Sequence, residues 1–129
     1  MLASLDHLVL TTANLDACVE FYTRVLGMTL ERFATPGGER LALKFGGQKI
    51  NLHERGKEFE PKAHTPRPGA LDLCFLAAIP LDEVVARLRA VRVPIEVGPV
   101  AKTGARFPLR SVYVRDPDLN LIEISERAA

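Results

Sequence analysis

A chain of 129 residues is one ordinary domain, long enough to bury a sizeable core. Apolar residues make up 47% and charged residues 26%, which is the soluble globular range. With 17 basic against 16 acidic side chains and no long run of either sign, the balance argues against a nucleic-acid partner or a membrane surface. Cys18 and Cys74 are too few for a disulfide framework. They read as reduced core thiols of a soluble, cytoplasmic protein. No window approaches the ~20 apolar residues of a membrane span, and the opening residues do not resemble a leader.

In chain order, residues 5–12 (LDHLVLTT) form the first expected strand. Asn14 then stands at a helix N-cap, and apolar residues at 15, 18, 19, 22, 25 and 26 carry the helical spacing up to Gly27, a C-terminal stop. Strands are expected at 28–34, 40–45 and 49–54, joined by Thr35-Pro-Gly-Gly38 and by Gly46-Gly47. Residues 56–69 hold three prolines and two glycines without periodicity and read as a linker. The order then repeats: a strand at 70–77, a helix at 81–91 behind Pro80, and strands at 94–100, 109–115 and 119–125. Leu5-Asp6 and Leu15-Asp16 echo Leu71-Asp72 and Leu81-Asp82 at a constant offset of 66. The expectation is an α+β fold made of two βαβββ modules, residues 1–55 and 70–127, within a single domain covering 1–129.

Side chains alternate across a strand, so position parity assigns faces. Leu8 and Leu10 oppose His7, Val9 and Thr11. Ile50 and Leu52 oppose Asn51 and His53. Leu71, Leu73 and Phe75 oppose Asp72 and Cys74, and Ile122 and Ile124 oppose Glu123 and Ser125. A curved mixed sheet with its apolar face under the helices gathers His7, His53 or Asn51, Asp72 and Glu123 in a concave groove. Imidazole and carboxylate donors suit a divalent ion such as Zn²⁺, Ni²⁺, Mn²⁺ or Fe²⁺. Tyr113 and Arg115 share the groove parity as possible substrate contacts, and the loop Lys102–Arg106 offers cations to an anionic group. His64 falls in the linker as an exposed loop residue, and nothing beside Cys74 in sequence activates its thiol.

The string LDHLVLTTANLDACVEFYTRVLGM is similar to the opening of vicinal oxygen chelate proteins, the glyoxalase/bleomycin resistance/dioxygenase superfamily. VYVRDPDLNLIEIS is similar to their closing motif, D-P-D-G-N-x-I-E. The middle segments, FGGQKINLHERGKEFEPKAHTPRPGALDLCFL and PIEVGPVAKTGA, resemble the subgroup called glyoxalase domain-containing protein 5. The resemblance implies paired βαβββ modules, a divalent metal bound to vicinal substrate oxygens, and frequent homodimers. It carries the ligand role to His7 and Glu123. The second-half histidine of metal-dependent members falls on Asp72, whereas the offset of 66 pairs His7 with Leu73. Glyoxalase I has a glutamate where this chain has Asn51, with His53 two residues on. Leu119 replaces the usual glycine of the closing turn.

Two functions follow as expectations. One is a metal-dependent lyase, isomerase or dioxygenase, with His7, His53, Asp72 and Glu123 on the metal and Glu123 or Asp72 moving a proton. The other is a metal-free protein that sequesters a drug or metabolite, as bleomycin-resistance proteins do.

Overall fold

The computed structural model describes all residues from Met1 to Ala129, and they form two compact units, Met1–Ala70 and Leu71–Ala129. Unit one runs β1 (His7–Thr12), α1 (Leu15–Glu20), β2 (Thr29–Thr35), β3 (Gly38–Phe45) and β4 (Gln48–Glu54). Unit two runs β5 (Asp72–Leu76), α2 (Leu81–Ala90), β6 (Val97–Thr103), β7 (Pro108–Arg115) and β8 (Leu121–Arg127). Each unit builds its own four-stranded mixed sheet, in the orders β1-β4-β3-β2 and β5-β8-β7-β6. The first and last strands of each unit pair in parallel, and the two hairpin pairings are antiparallel. The expected duplication of an α+β βαβββ module is thus observed, with one sheet per module.

In the first module Asn14 caps α1, its side chain accepting from Ala17 N–H at 3.1 Å. The helical run continues beyond Glu20 as a π-helical turn, Phe21–Val25, where Leu26 N–H bonds the Phe21 carbonyl five residues back. Gly27 then takes φ +77°, and Met28 N–H closes onto the Tyr22 carbonyl at 2.9 Å, a glycine-dependent helix stop. Cys18, Phe21 and Tyr22 are buried with Leu10, Leu43, Ile50 and Leu52, which form the apolar side of the sheet.

In the second module α2 buries Leu81, Val84, Val85 and Leu88 and packs on β7 and β8, whose Val112, Val114, Ile122 and Ile124 are buried. Pro80 offers no capping side chain. Glu126 on β8 substitutes, accepting from Leu81 N–H at 3.1 Å and from Arg110, which also reaches Asp82. The sixth strand begins later than the sequence suggests, at Val97 rather than Pro94. A register shift lies between Val97 and Val100, and Gly98 has φ +106° with the Ser111 carbonyl where a Cβ would stand. Cys18 is a core thiol as expected. Cys74 is exposed, because its strand parity turns it away from the apolar side.

The turn Asp116–Asn120 joins β7 to β8. Buried Asp116 accepts from the backbone N–H of Asp118 and Asn120 at 2.9 Å each and from the Asn120 amide at 2.8 Å. Asn120 accepts in turn from Leu71 N–H at 2.9 Å, which ties the start of β5 to the start of β8. Leu119 adopts φ +70° with its side chain exposed, so a leucine occupies backbone that favours glycine. Leu119→Gly is expected to raise stability by about 0.5–1 kcal/mol, the relieved left-handed strain outweighing the added chain entropy. Asp116→Ala is expected to lower it by about 2–4 kcal/mol through the lost charge-assisted bonds. Urea denaturation of the two variants checks both signs.

Candidate functional site

On the first sheet, the face opposite the apolar side carries His7, Val9 and Thr11 from β1, Lys49, Asn51 and His53 from β4, and Arg40, Ala42 and Lys44 from β3. His7 lies beside Lys49, so Asn51 is its diagonal neighbour, two positions on. His53 lies beside Thr11, four strand positions from His7 and therefore ~13 Å along the strands. His7 is exposed, and its Nδ1 is 2.8 Å from Asp6 Oδ1. The tautomer this contact favours leaves Nε2 as the free lone pair. The side-chain oxygen of Asn51 is buried and has no hydrogen-bond partner.

His53 is buried, with its ring tilted against Phe59 at 5.8 Å between centroids. Burial, reinforced by the Arg40 guanidinium, holds its imidazole below the ordinary value of 6.5, with Glu58 pulling the other way. The Arg40 guanidinium itself lies 4.1 Å above the Phe59 ring.

On the second sheet the corresponding face carries Asp72 and Cys74 from β5, Glu123 and Ser125 from β8, and Ser111 and Tyr113 from β7. Asp72 lies beside Leu121, so Glu123 is its diagonal neighbour, two positions on. Glu123 stands directly between Cys74 and Tyr113. Ser125 Oγ donates to Glu123 at 3.3 Å, shares a 2.6 Å hydrogen bond with Ser111 Oγ, and lies 3.3 Å from Cys74 Sγ. Burial and the facing carboxylate of Glu123 push the Tyr113 phenol up to about 12. Partial desolvation of the sulfur on this otherwise exposed residue also raises the Cys74 thiol, Ser125 opposing and the Glu123 and Asp72 charges adding to the rise, so Cys74 is not an activated nucleophile.

A pocket of about 330 Å³ opens beside Glu123 and Cys74, walled by Thr103, Arg106, Phe107 and Leu109. Arg115, a possible substrate contact by parity, is instead engaged by Glu96 through two bonds of 3.1 and 3.2 Å.

The relation of His7 to Asn51 on the first sheet is thus the relation of Asp72 to Glu123 on the second. This register puts Asp72, rather than Leu73, in the place of His7, and Asn51, rather than His53, in the place of Glu123. Each sheet brings two oxygen or imidazole donors to one diagonal. No group of three or more His, Cys, Asp or Glu side chains in the chain is arranged to hold a metal ion. Sequence reasoning missed Arg40, Phe59 and the Ser111–Ser125–Glu123 chain of hydrogen bonds. Parity on β7 and β8 contained the last of these. Nothing in the aperiodic linker announced Phe59.

Two repeated βαβββ modules with open, curved mixed sheets define a glyoxalase-type fold. The family model described as the Glyoxalase/Bleomycin resistance protein/Dioxygenase superfamily matches residues 4–124, and the chain belongs to that superfamily. It is 52% identical over 122 residues to the glyoxalase domain-containing protein RDO1 of Mycosarcoma maydis, covering 95% of this chain and 67% of the relative. It is 48% identical to the virulence protein STM3117 of Salmonella typhimurium, covering 95% and 83% of the two chains. The crystal structure of STM3117 superposes with a TM-score of 0.92 over 99% of both chains at 44% identity. A lactoylglutathione lyase from Agrobacterium tumefaciens is 27% identical, with a TM-score of 0.70 over 96% of this chain and 93% of that one. No helix of the chain is long and apolar enough to cross a membrane.

The depressed His53 imidazole has a consequence for stability. Folding favours its neutral form, so its full contribution is present above the unfolded value of 6.5 and is lost as the pH falls through the folded value. Thermal denaturation from pH 7.5 down to about 5 should show a loss that His53→Asn flattens.

Proposed function

We propose that this protein is a divalent-metal-dependent enzyme acting on a small substrate that presents vicinal oxygens. The observation that supports this reading most is the repeated diagonal of donors, His7 with Asn51 in one module and Asp72 with Glu123 in the other. One diagonal carries an imidazole and an amide oxygen and the other two carboxylates, donor types that a borderline or hard divalent ion accepts. The buried, unpartnered Asn51 oxygen fits a cation or a donor at that point. Asp6, holding the Nδ1 side of His7, has the place of the outer carboxylate that orients a ligating imidazole.

On this reading His7, Asp72 and Glu123 are the ligands, with Asn51 the fourth by register and His53 the fourth by chemistry. A bound Zn²⁺, Ni²⁺, Mn²⁺ or Fe²⁺ would supply Lewis acidity to the substrate oxygens. Glu123 and Asp72 are the groups available to carry a proton. Tyr113, held protonated to about pH 12, is a hydrogen-bond donor for a developing oxyanion. The reaction class, whether lyase, isomerase or dioxygenase, is the finer part of the proposal. A homodimer in the cytoplasm is the assembly and setting that go with it.

One observation favours a second reading, a metal-free binder of a small molecule. No three metal donors are grouped, while a pocket of about 330 Å³ stands beside Glu123, within the size range of small-ligand sites. Elemental analysis after titration of chelator-washed protein with Zn²⁺, Ni²⁺, Mn²⁺ and Fe²⁺ separates the two. Binding near one ion per chain, lost in Glu123→Ala, is expected for the metalloenzyme. No stoichiometric binding of any of these ions sinks it and leaves the binder.

A further inference from the structure

Among the arginines, Arg24, Arg32, Arg87, Arg110 and Arg115 pair with carboxylates, and the rest are exposed except Arg40. Arg40 is half-buried on the polar face of the first sheet. Its Nε is buried without a hydrogen-bond partner, and no carboxylate forms an ion pair with it. A partly desolvated guanidinium without an anion is costly, and stacking on a ring recovers only part of that cost. The stack on Phe59 does, however, fix the plane of the fork. His53 packs on the same ring and is 6% exposed, and its imidazole makes no hydrogen bond within the chain. The one carboxylate that acts on His53, Glu58, is held back by the Gly56 N–H at 3.0 Å. Two polar side chains that can donate therefore stand on one aromatic wall with nothing to donate to.

We propose that Arg40 and His53, walled by Phe59, form an oxyanion-binding pocket on the first module that takes the carboxylate or phosphoryl group of a small ligand. A planar fork binds such groups through two parallel bonds, and a neighbouring imidazole N–H supplies a third. Glu58 acts as the repulsive neighbour that sets the affinity. The pocket goes beyond the metal-enzyme reading: Arg40 and Phe59 are not among the proposed ligands, and His53 serves the pocket where Asn51, the fourth ligand by register, holds the metal.

The test is amide chemical-shift titration with acetate, with inorganic phosphate, and with chloride at matched ionic strength, all with a chelator present so that metal binding plays no part. Saturable shifts at residues 40, 53 and 59 with acetate or phosphate but not chloride are expected. They should weaken at least about tenfold in Arg40→Met, fall between in Arg40→Lys, and tighten in Glu58→Gln. Response to acetate alone identifies a carboxylate site, and response to phosphate alone a phosphoryl site. Arg40→Met should melt with the wild type in the absence of anion, because it removes an unpaired charge. No saturable response beyond that of chloride overturns the pocket. So does an Arg40→Met protein that melts early yet still answers the anion, which makes Arg40 a clamp for the linker.

Discussion

Parallel pairing between the first and last strand of each module is the constraint on which the rest of the structure depends. Two parallel strands cannot be joined by a tight turn, so the helix and the two intervening strands are the crossover that brings β4 beside β1 and β8 beside β5. Once that pairing is set, the two-residue period of a strand decides everything that follows on the faces. One parity meets the core, with Leu10, Ile50, Ile122 and Ile124 as its members. The other collects the polar groups, and the register decides which of them are neighbours. A slip of one residue would bury His7 and Glu123 and expose the core.

The two modules use their polar faces differently. In the second, the groups satisfy one another: Ser111, Ser125 and Glu123 form a connected chain, Tyr113 faces the carboxylate, and Arg115 is engaged by Glu96. In the first, the buried Asn51 oxygen and Arg40 Nε have no partner, and His53 is held toward its neutral form by burial. Native proteins rarely leave buried polar groups unpaired without a reason. The contrast is the observation behind the oxyanion pocket proposed on the first module.

The closing turn shows the same economy in miniature. Asp116 organises three donors, and Asn120 joins two strands. Leu119 between them holds a left-handed backbone without a glycine, which Asp116 and Asn120 sustain by fixing the residues on either side.

Much of this was legible in the sequence. Helical spacing from Leu15, the stop at Gly27, the alternation of LDHLVLTT and NLIEIS, and the repeat of the whole pattern determined the βαβββ duplication and the face of every candidate ligand, because periodicity is local. The superfamily was legible in the opening and closing motifs. Pairing register was not, because it depends on contacts between strands about 40–50 residues apart in the chain. The offset of 66 matched His7 to Leu73 while the family motif matched it to Asp72, and the observed register agrees with Asp72 and gives Asn51, not His53, the position in its own sheet that Glu123 has in the other. The start of β6 was misplaced because Gly98 and the bulge answer to the Ser111 carbonyl across the sheet. Arg40 and Phe59 were invisible for the same reason. A strand charge and a linker aromatic acquire meaning only when the tertiary structure stacks one on the other.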